Sequence, residues 1–274
     1  NIIGEQLVGA GFSEIMNNSL TKSSYYEEAG LNAYPWEETV KVMNPLSADL
    51  GVMRQTLLFG GLESIVRNVN RKAQNLRFFE VGNVYKYNKE RWTEENPVKA
   101  YSQDYHMALW VTGKRVQGSW AHPDEESSFY ELKAHVENIL RRIGVAQGLL
   151  VSEKSDNNVF DKAIALKTRA GKVLVEMGIL SHKLLKRFGL DQKVYYADLD
   201  WAGLMKAIRK NKLQFQEISK YPAVSRDLAL LVDNNVEFAQ IEEIARQADK
   251  KLLKRVELFD VYQGKNLPEG KKSY

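Results

Sequence analysis

Cysteine is absent from the 274 residues, so disulfides, thiolate zinc sites, iron–sulfur clusters and cysteine nucleophiles are all excluded. That absence leaves the compartment open, because a cytosolic protein needs no cysteine. Long apolar runs are missing too: the longest, Leu228 to Val232, falls far short of the roughly 20 residues that cross a bilayer. Neither a basic start nor a signal-peptide core follows Asn1, and the sequence reads as a portion of something longer. His106, His122, His135 and His182 lie far apart without metal-ligand spacing, and ordinary core or surface histidines account for them. Gly113 to Gly118 has the glycine spacing of a phosphate loop, but Ser119-Trp120 stands where Lys-Ser/Thr is required. No GxSxG, dinucleotide fingerprint or carboxylate pair stands out. An excess of charge of one sign is also lacking. Lys+Arg number 39 against 35 Asp+Glu, and the net +4 permits a polyanionic partner without demanding one.

What is present is ordinary in bulk: 44% hydrophobic and 27% charged residues rule out a disordered tail or a fibrous repeat. The length suits one large domain or two modest ones. Ile2, Ile3, Leu7, Val8 and Ala10 mark one face of a helix stopped by Gly11. A strand is expected over Phe12–Leu20, a short one over Thr39–Met43, and a helix from about Gly61 carrying Leu62, Ile65, Val66 and Val69. Strands follow at Leu76–Tyr87 and Tyr105–Thr112, then an amphipathic helix through Leu132, Val136, Ile139, Leu140 and Ile143 that ends at Gly144. Further strands are expected at Leu149–Val151, Ala163–Lys167, Val173–Leu180 and Val194–Asp198, with a short helix at His182–Phe188. Several neighbouring strands are joined by connections too short for a helical crossover. The fold class is therefore α+β, an antiparallel or mixed sheet with helices packed on it.

Composition changes at Ala202–Phe215, where Lys206, Arg209, Lys210 and Lys212 suggest a basic linker over residues 202–216. The first domain then covers 1–201 and the second 217–274. The second reads as strand (Asp227–Val232), helix (Phe238–Leu253) and strand (Val256–Tyr262), followed by a loop from Gly264 to Gly270 that includes Lys265 and Asn266. One strand pair and one helix bury little core, so this βαβ unit is expected to be truncated at Tyr274. It holds ten basic and ten acidic side chains, and local clusters such as Lys250, Lys251, Lys254 and Arg255 are what remain to attract an anion.

A set of longer strings carries more. They are Gly9-Ala10-Gly11-Phe12-Ser13-Glu14-Ile15, Asn44-Pro45-Leu46-Ser47-Ala48-Asp49, Met53-Arg54-Gln55-Thr56-Leu57-Leu58 and Phe78-Phe79-Glu80-Val81-Gly82-Asn83-Val84-Tyr85. Phe129-Tyr130-Glu131-Leu132-Lys133, Tyr221-Pro222-Ala223-Val224-Ser225-Arg226-Asp227, Leu258-Phe259-Asp260-Val261-Tyr262-Gln263-Gly264 and Gly270-Lys271-Lys272-Ser273 complete it. In this order and spacing the chain resembles, from end to end, the C-terminal part of the β subunit of bacterial phenylalanine–tRNA ligases. Leu57-Leu58-Phe59-Gly60-Gly61-Leu62 departs from the family's usual Leu-Leu-Pro-Gly-Leu-Leu, which affects how that helix starts.

The resemblance implies a class II aminoacyl-tRNA synthetase-like antiparallel sheet that has lost catalysis, followed by a partial ferredoxin-like anticodon-binding domain. Lys86 stands where catalytic relatives carry a phosphate-gripping arginine, and Asn88 where an acidic residue is usual. A lysine is a point charge and cannot reproduce the bidentate fork. No cofactor is expected on this chain; the complex would use ATP and Mg²⁺. The implied partners are the catalytic α subunit, in an α2β2 assembly, and tRNA(Phe), with no membrane, in the cytoplasm. The helix Ile2–Ala10 is a candidate for the subunit contact, and burial in its own domain explains the same apolar face. By position the resemblance places Asp260, Tyr262 and Ser273 at the first anticodon base, a guanine. Tyr262 offers a stacking ring and Asp260 an acceptor for the Watson–Crick edge. Arg226, Lys271 and Lys272 are candidates for phosphate contacts. Tyr262 packed on the helix, with Asp260 capping a turn, is the plain alternative. A self-sufficient class II ATP-dependent ligase and a stand-alone RNA-binding module remain as rival readings of the whole.

Overall fold

Alternation along the strands sets the architecture. In a computed structural model, Leu76–Tyr87 (strand β2, after the two-residue β1, Ser13–Glu14) points Phe78 to one face and Phe79 to the other. Tyr101–Thr112 (β3) does the same with Ala108 and Trp110 against Met107, Leu109 and Val111. Leu150–Lys154 (β4), Phe160–Thr168 (β5), Val173–Leu180 (β6) and Val194–Asp200 (β7) complete a seven-stranded sheet in the order β1-β2-β3-β7-β6-β5-β4. Only β1 runs parallel to its neighbour; every other pair is antiparallel. The structure describes residues 2–27, 30–146, 148–211, 217, 220–249, 251–264 and 267–274, and of Ala48 the backbone alone. Asn1, Lys212, Phe215, Lys250, Lys265 and Asn266, named above, lie outside them.

The chain is thus α+β, with helices on both faces of a mixed sheet. On one face Ile2–Gly9 (α1) contributes Ile3 and Leu7, and Phe129–Arg142 (α3) contributes Leu132, Val136 and Ile139. On the other, Leu58–Val69 (α2) buries Leu58, Phe59, Leu62 and Ile65 over Trp110 and Tyr196. The short helix His182–Arg187 (α4) adds Leu184 and Leu185 to that side. The Ser128 hydroxyl caps α3 by accepting from the Glu131 N–H at 3.3 Å, and Gly144, at φ 87°, ends it. Gly61 lets α2 lie on the sheet: a Cβ there would stand 2.2 Å from the Trp110 ring. In α1 the apolar face is divided. Ile3 and Leu7 are buried, while Ile2 and Val8 are exposed.

Among the stretches that differ from the sequence reading, three bear most on the fold. Phe12–Leu20 is not one strand. After Ile15 donates to Phe79 the chain leaves the ladder, because the Asn17 N–H and side-chain amide bind the Glu80 carboxylate at 3.2 and 2.6 Å. Residues 202–208, expected within the linker, belong to a helix instead, Trp201–Ile208 (α5), packed on the α1 and α3 side of the sheet. Asp200 caps it through Gly203 N–H at 2.7 Å, and Leu204 is wholly buried; the basic residues masked an amphipathic spacing. Third, no strand forms over Val256–Val261.

The chain divides into two compact units, Asn1–Lys212 and Leu213–Tyr274. The second contains Leu231–Asp233 (β8), Phe238–Ala248 (α6) and Lys271–Ser273 (β9). Its helix starts with a capping box between Glu237 and Gln240. No helix among the described residues is long and apolar enough to cross a membrane.

Candidate nucleic-acid interface

Strand β9 has neighbours on both edges. Leu231, Val232 and Asp233 of β8 stand opposite Ser273, Lys272 and Lys271. On the other edge Tyr262 N–H donates to the Ser273 carbonyl at 2.9 Å and Ser273 N–H donates to the Tyr262 carbonyl at 3.0 Å. Residues directly opposite share a face, so Leu231, Tyr262 and Ser273 lie together, while Lys272 and Tyr274 lie on the reverse. The reverse face belongs to α6. Phe238 meets the Tyr274 ring edge-on at 6.1 Å, and the Tyr274 hydroxyl donates to the Val236 carbonyl at 3.0 Å. Tyr262 therefore does not pack on the helix. It is 43% exposed on the opposite face, beside Leu231 at 54%.

The four residues singled out from the sequence are not all brought together. Tyr262 and Ser273 are paired as described. Asp260 is exposed in backbone without strand pairing, so the alternation that would aim it alongside Tyr262 does not operate there. Arg226 is exposed in irregular backbone before β8. Among the described residues, the Tyr262 phenol, the Ser273 hydroxyl, Asp260 and Arg226 have no side-chain hydrogen-bond partner. Tyr262, Asp260 and Arg226 are exposed, and Ser273 is partly exposed.

The two lysines of this unit separate cleanly. Lys271, on the Ser273 face, pairs with Asp233 at 2.6 Å and is partly exposed. Lys272, expected among the phosphate contacts, is instead buried: its Nζ donates to the Asn234 carbonyl at 3.0 Å and lies 4.7 Å from the Tyr274 ring centre. Strand alternation decides this, since neighbours in sequence cannot share a face.

In the first unit, Lys86 forms an ion pair with Glu38 at 3.2 Å at the surface. Sequence reasoning missed a buried network beside it. Arg54 Nη1 pairs with Glu80 at 2.6 Å, and the guanidinium also reaches the carbonyls of Asn83 and Asn17 at 2.9 and 3.2 Å. The available signal was a lone carboxylate, Glu80, inside the apolar run Phe78–Val81. Gly82 makes room for the guanidinium, since a Cβ there would sit 2.3 Å from an Arg54 nitrogen. His106 Nδ1 lies 3.0 and 3.1 Å from the two oxygens of Asp198. Burial alone would lower its pKa, but the field of Asp198 and the hydrogen bond to it, with Asp200 and Asp104 adding, raise it above the ordinary value. Adjoining clefts of about 290 and 510 Å³ share Lys22, Tyr25 and Phe188. Lys22 is shared there between Asp49 and Glu63, each at 3.8 Å. Among the described residues no group of three histidines or carboxylates is arranged for a metal ion.

A family model of the phenylalanyl tRNA synthetase beta chain CLM domain matches residues 1–201. The chain belongs to that family. A ferredoxin-fold anticodon binding domain model matches residues 219–274, the region that holds the Tyr262–Ser273 pair. The phenylalanine–tRNA ligase beta subunit of Bacteroides thetaiotaomicron is 57% identical over 274 residues, covering all of this chain and 33% of the relative. That of Porphyromonas gingivalis is 51% identical over 273 residues, again covering 100% of this chain and 33% of the relative. The chain thus spans about a third of the length of these curated relatives. Among solved structures, a pyrrolysyl tRNA synthetase of Desulfitobacterium hafniense superposes with a TM-score of 0.54 at 14% identity, over 76% of this chain and 66% of that one. That likeness concerns the fold alone: a synthetase-type sheet carries the first unit of this beta-chain family member.

Proposed function

We propose that this chain is the scaffold and RNA-holding portion of a phenylalanine–tRNA ligase β subunit and makes no bond itself. The first unit supports a catalytic α subunit, in an α2β2 assembly working in the cytoplasm. The second holds the anticodon loop of tRNA(Phe). ATP and Mg²⁺ serve the complex, at a site on the α subunit. The surface ion pair of Lys86 with Glu38 supports the non-catalytic reading, because a lysine spent on a carboxylate and lacking a fork is a poor clamp for a phosphoryl group.

The observation that carries the RNA reading is the open face of the second unit. Tyr262 presents an exposed ring beside an unpartnered Ser273 hydroxyl, on the side away from α6 and within the segment matched by the anticodon-binding model. An unpaired base stacks on that ring, and Ser273 lies within the same patch to meet its edge. Asp260 accepts from the donor edge of a guanine, and Arg226 contacts the backbone, positioning without reading sequence.

Tyr262→Ala in the intact complex tests this reading. Loss of one stacked base, worth about 1–3 kcal/mol, raises KM for tRNA without changing phenylalanine-dependent pyrophosphate exchange. Unaltered tRNA kinetics would remove Tyr262 from the site. The isolated chain should support no pyrophosphate exchange; a measurable rate would overturn the non-catalytic assignment.

A further inference from the structure

The face that bears Tyr262 contains one more residue whose identity the geometry restricts. Two residues on from Tyr262, the Gly264 carbonyl accepts from Leu267 N–H at 3.1 Å. A Cβ built on Gly264 would stand 2.4 Å from the Tyr262 hydroxyl oxygen, 2.5 Å from the adjacent ring carbon and 3.1 Å from the next. All three of its nearest neighbours are atoms of that one side chain. The phenol end of the Tyr262 ring therefore sits where a side chain at 264 would begin, while the residue as a whole is 43% exposed. Gly264 does not have a positive φ, so an alanine meets the ring and not a backbone restriction.

We infer that Gly264 is a positioning residue for the nucleic-acid platform: lacking a side chain, it leaves room for the phenol end of Tyr262 and so sets the orientation in which the ring meets an unpaired base. This deepens the proposed anticodon role and rests on it. Any side chain at 264 lifts the phenol end of the ring, since contacts under 3 Å are not sustained and the ring is the movable partner. The lifted ring no longer offers the plane on which a base stacks beside Ser273. The backbone pairing of Tyr262 with Ser273 is untouched, because it uses main-chain atoms only.

The experiment uses the full-length β subunit in complex with its catalytic partner, with Gly264→Ala, Tyr262→Ala and the double variant. Gly264→Ala should raise KM for tRNA by roughly three- to tenfold, against about tenfold for Tyr262→Ala, with amino-acid activation and melting temperature unchanged. In the Tyr262→Ala background the second substitution should add nothing, because an effect exerted through the ring vanishes with the ring. Wild-type tRNA kinetics for Gly264→Ala, alongside impaired Tyr262→Ala, would overturn the positioning role while leaving the anticodon reading intact. An equal penalty in both backgrounds would overturn it as well, by showing a route that bypasses Tyr262. If Tyr262→Ala itself has no effect, the anticodon reading fails. The platform role of Gly264, which rests on that reading, then fails with it.

Discussion

Adjacent residues in this chain do opposite things for reasons that one side-chain contact explains. Lys272 is held by the Asn234 carbonyl and the Tyr274 ring, so Lys272→Ala removes a charge-assisted hydrogen bond worth about 1.5–3 kcal/mol and should speed amide exchange over 231–233 and 271–273. Lys271 has only the surface pair with Asp233, and Lys271→Ala should change exchange there by less than a factor of about five, in line with about 0–1 kcal/mol for exposed pairs. In the first unit, Glu80 and Arg54 are buried together. Glu80→Gln leaves the guanidinium without its counter-charge, and a loss of about 3–5 kcal/mol in urea denaturation of the full protein is expected. Neither partner was visible as a pair in the sequence, since Arg54 and Glu80 stand on separate elements and meet only where Gly82 opens the space.

At the scale of elements, α2 and the central strands are fitted to each other through a glycine. Gly61 places a bare α-carbon against Trp110; Gly61→Val therefore overpacks the core and should cost at least about 1–3 kcal/mol by denaturant titration. The neighbouring strands β3 and β7 carry the His106–Asp198 pair. Asp104, Asp200 with its Lys172 partner at 2.6 Å, and Arg54 lying over the cross-strand Gly82 are the other charged groups around it. Because the folded-state pKa of His106 is raised above its ordinary 6.5, its contribution to stability is fully present below that value and is lost as pH rises through the folded value. The stability difference between wild type and His106→Gln should shrink as pH rises above 6.5, measured by urea unfolding. A constant difference would mean the pair contributes through shape alone.

Across the whole molecule, stability is unevenly distributed. Every buried hydrophobic residue among those described belongs to the first unit, whereas Tyr221, Leu252 and Phe259 of the second are each at least 80% exposed. Limited proteolysis and hydrogen exchange should therefore open residues 220–274 well before the seven-stranded sheet, and protection equal to the sheet's would contradict this. The same contrast explains what could be read from the chain. Long strands such as Leu76–Tyr87 announced themselves because a sheet covered on both faces selects apolar and aromatic residues on both sides of the strand, and the helices that cover it show the spacing of one apolar face. The helix Trp201–Ile208 was hidden by Lys206 and by the basic residues Arg209 and Lys210 that follow it, and the strand expected at Val256–Tyr262 shrank to one bridge because its apolar residues meet no covering layer. The sequence by itself determined the α+β class, through local spacing, and the family, through strings spread along the chain; Tyr262 and Ser273 were singled out by that resemblance. Only the tertiary structure decided that Tyr262 and Ser273 share an open face, that Lys272 is structural, that Asp260 is not aligned by a strand, and that Arg54 meets Glu80. Those facts depend on which strand lies beside which, and pairing between distant segments leaves no periodic mark on either one.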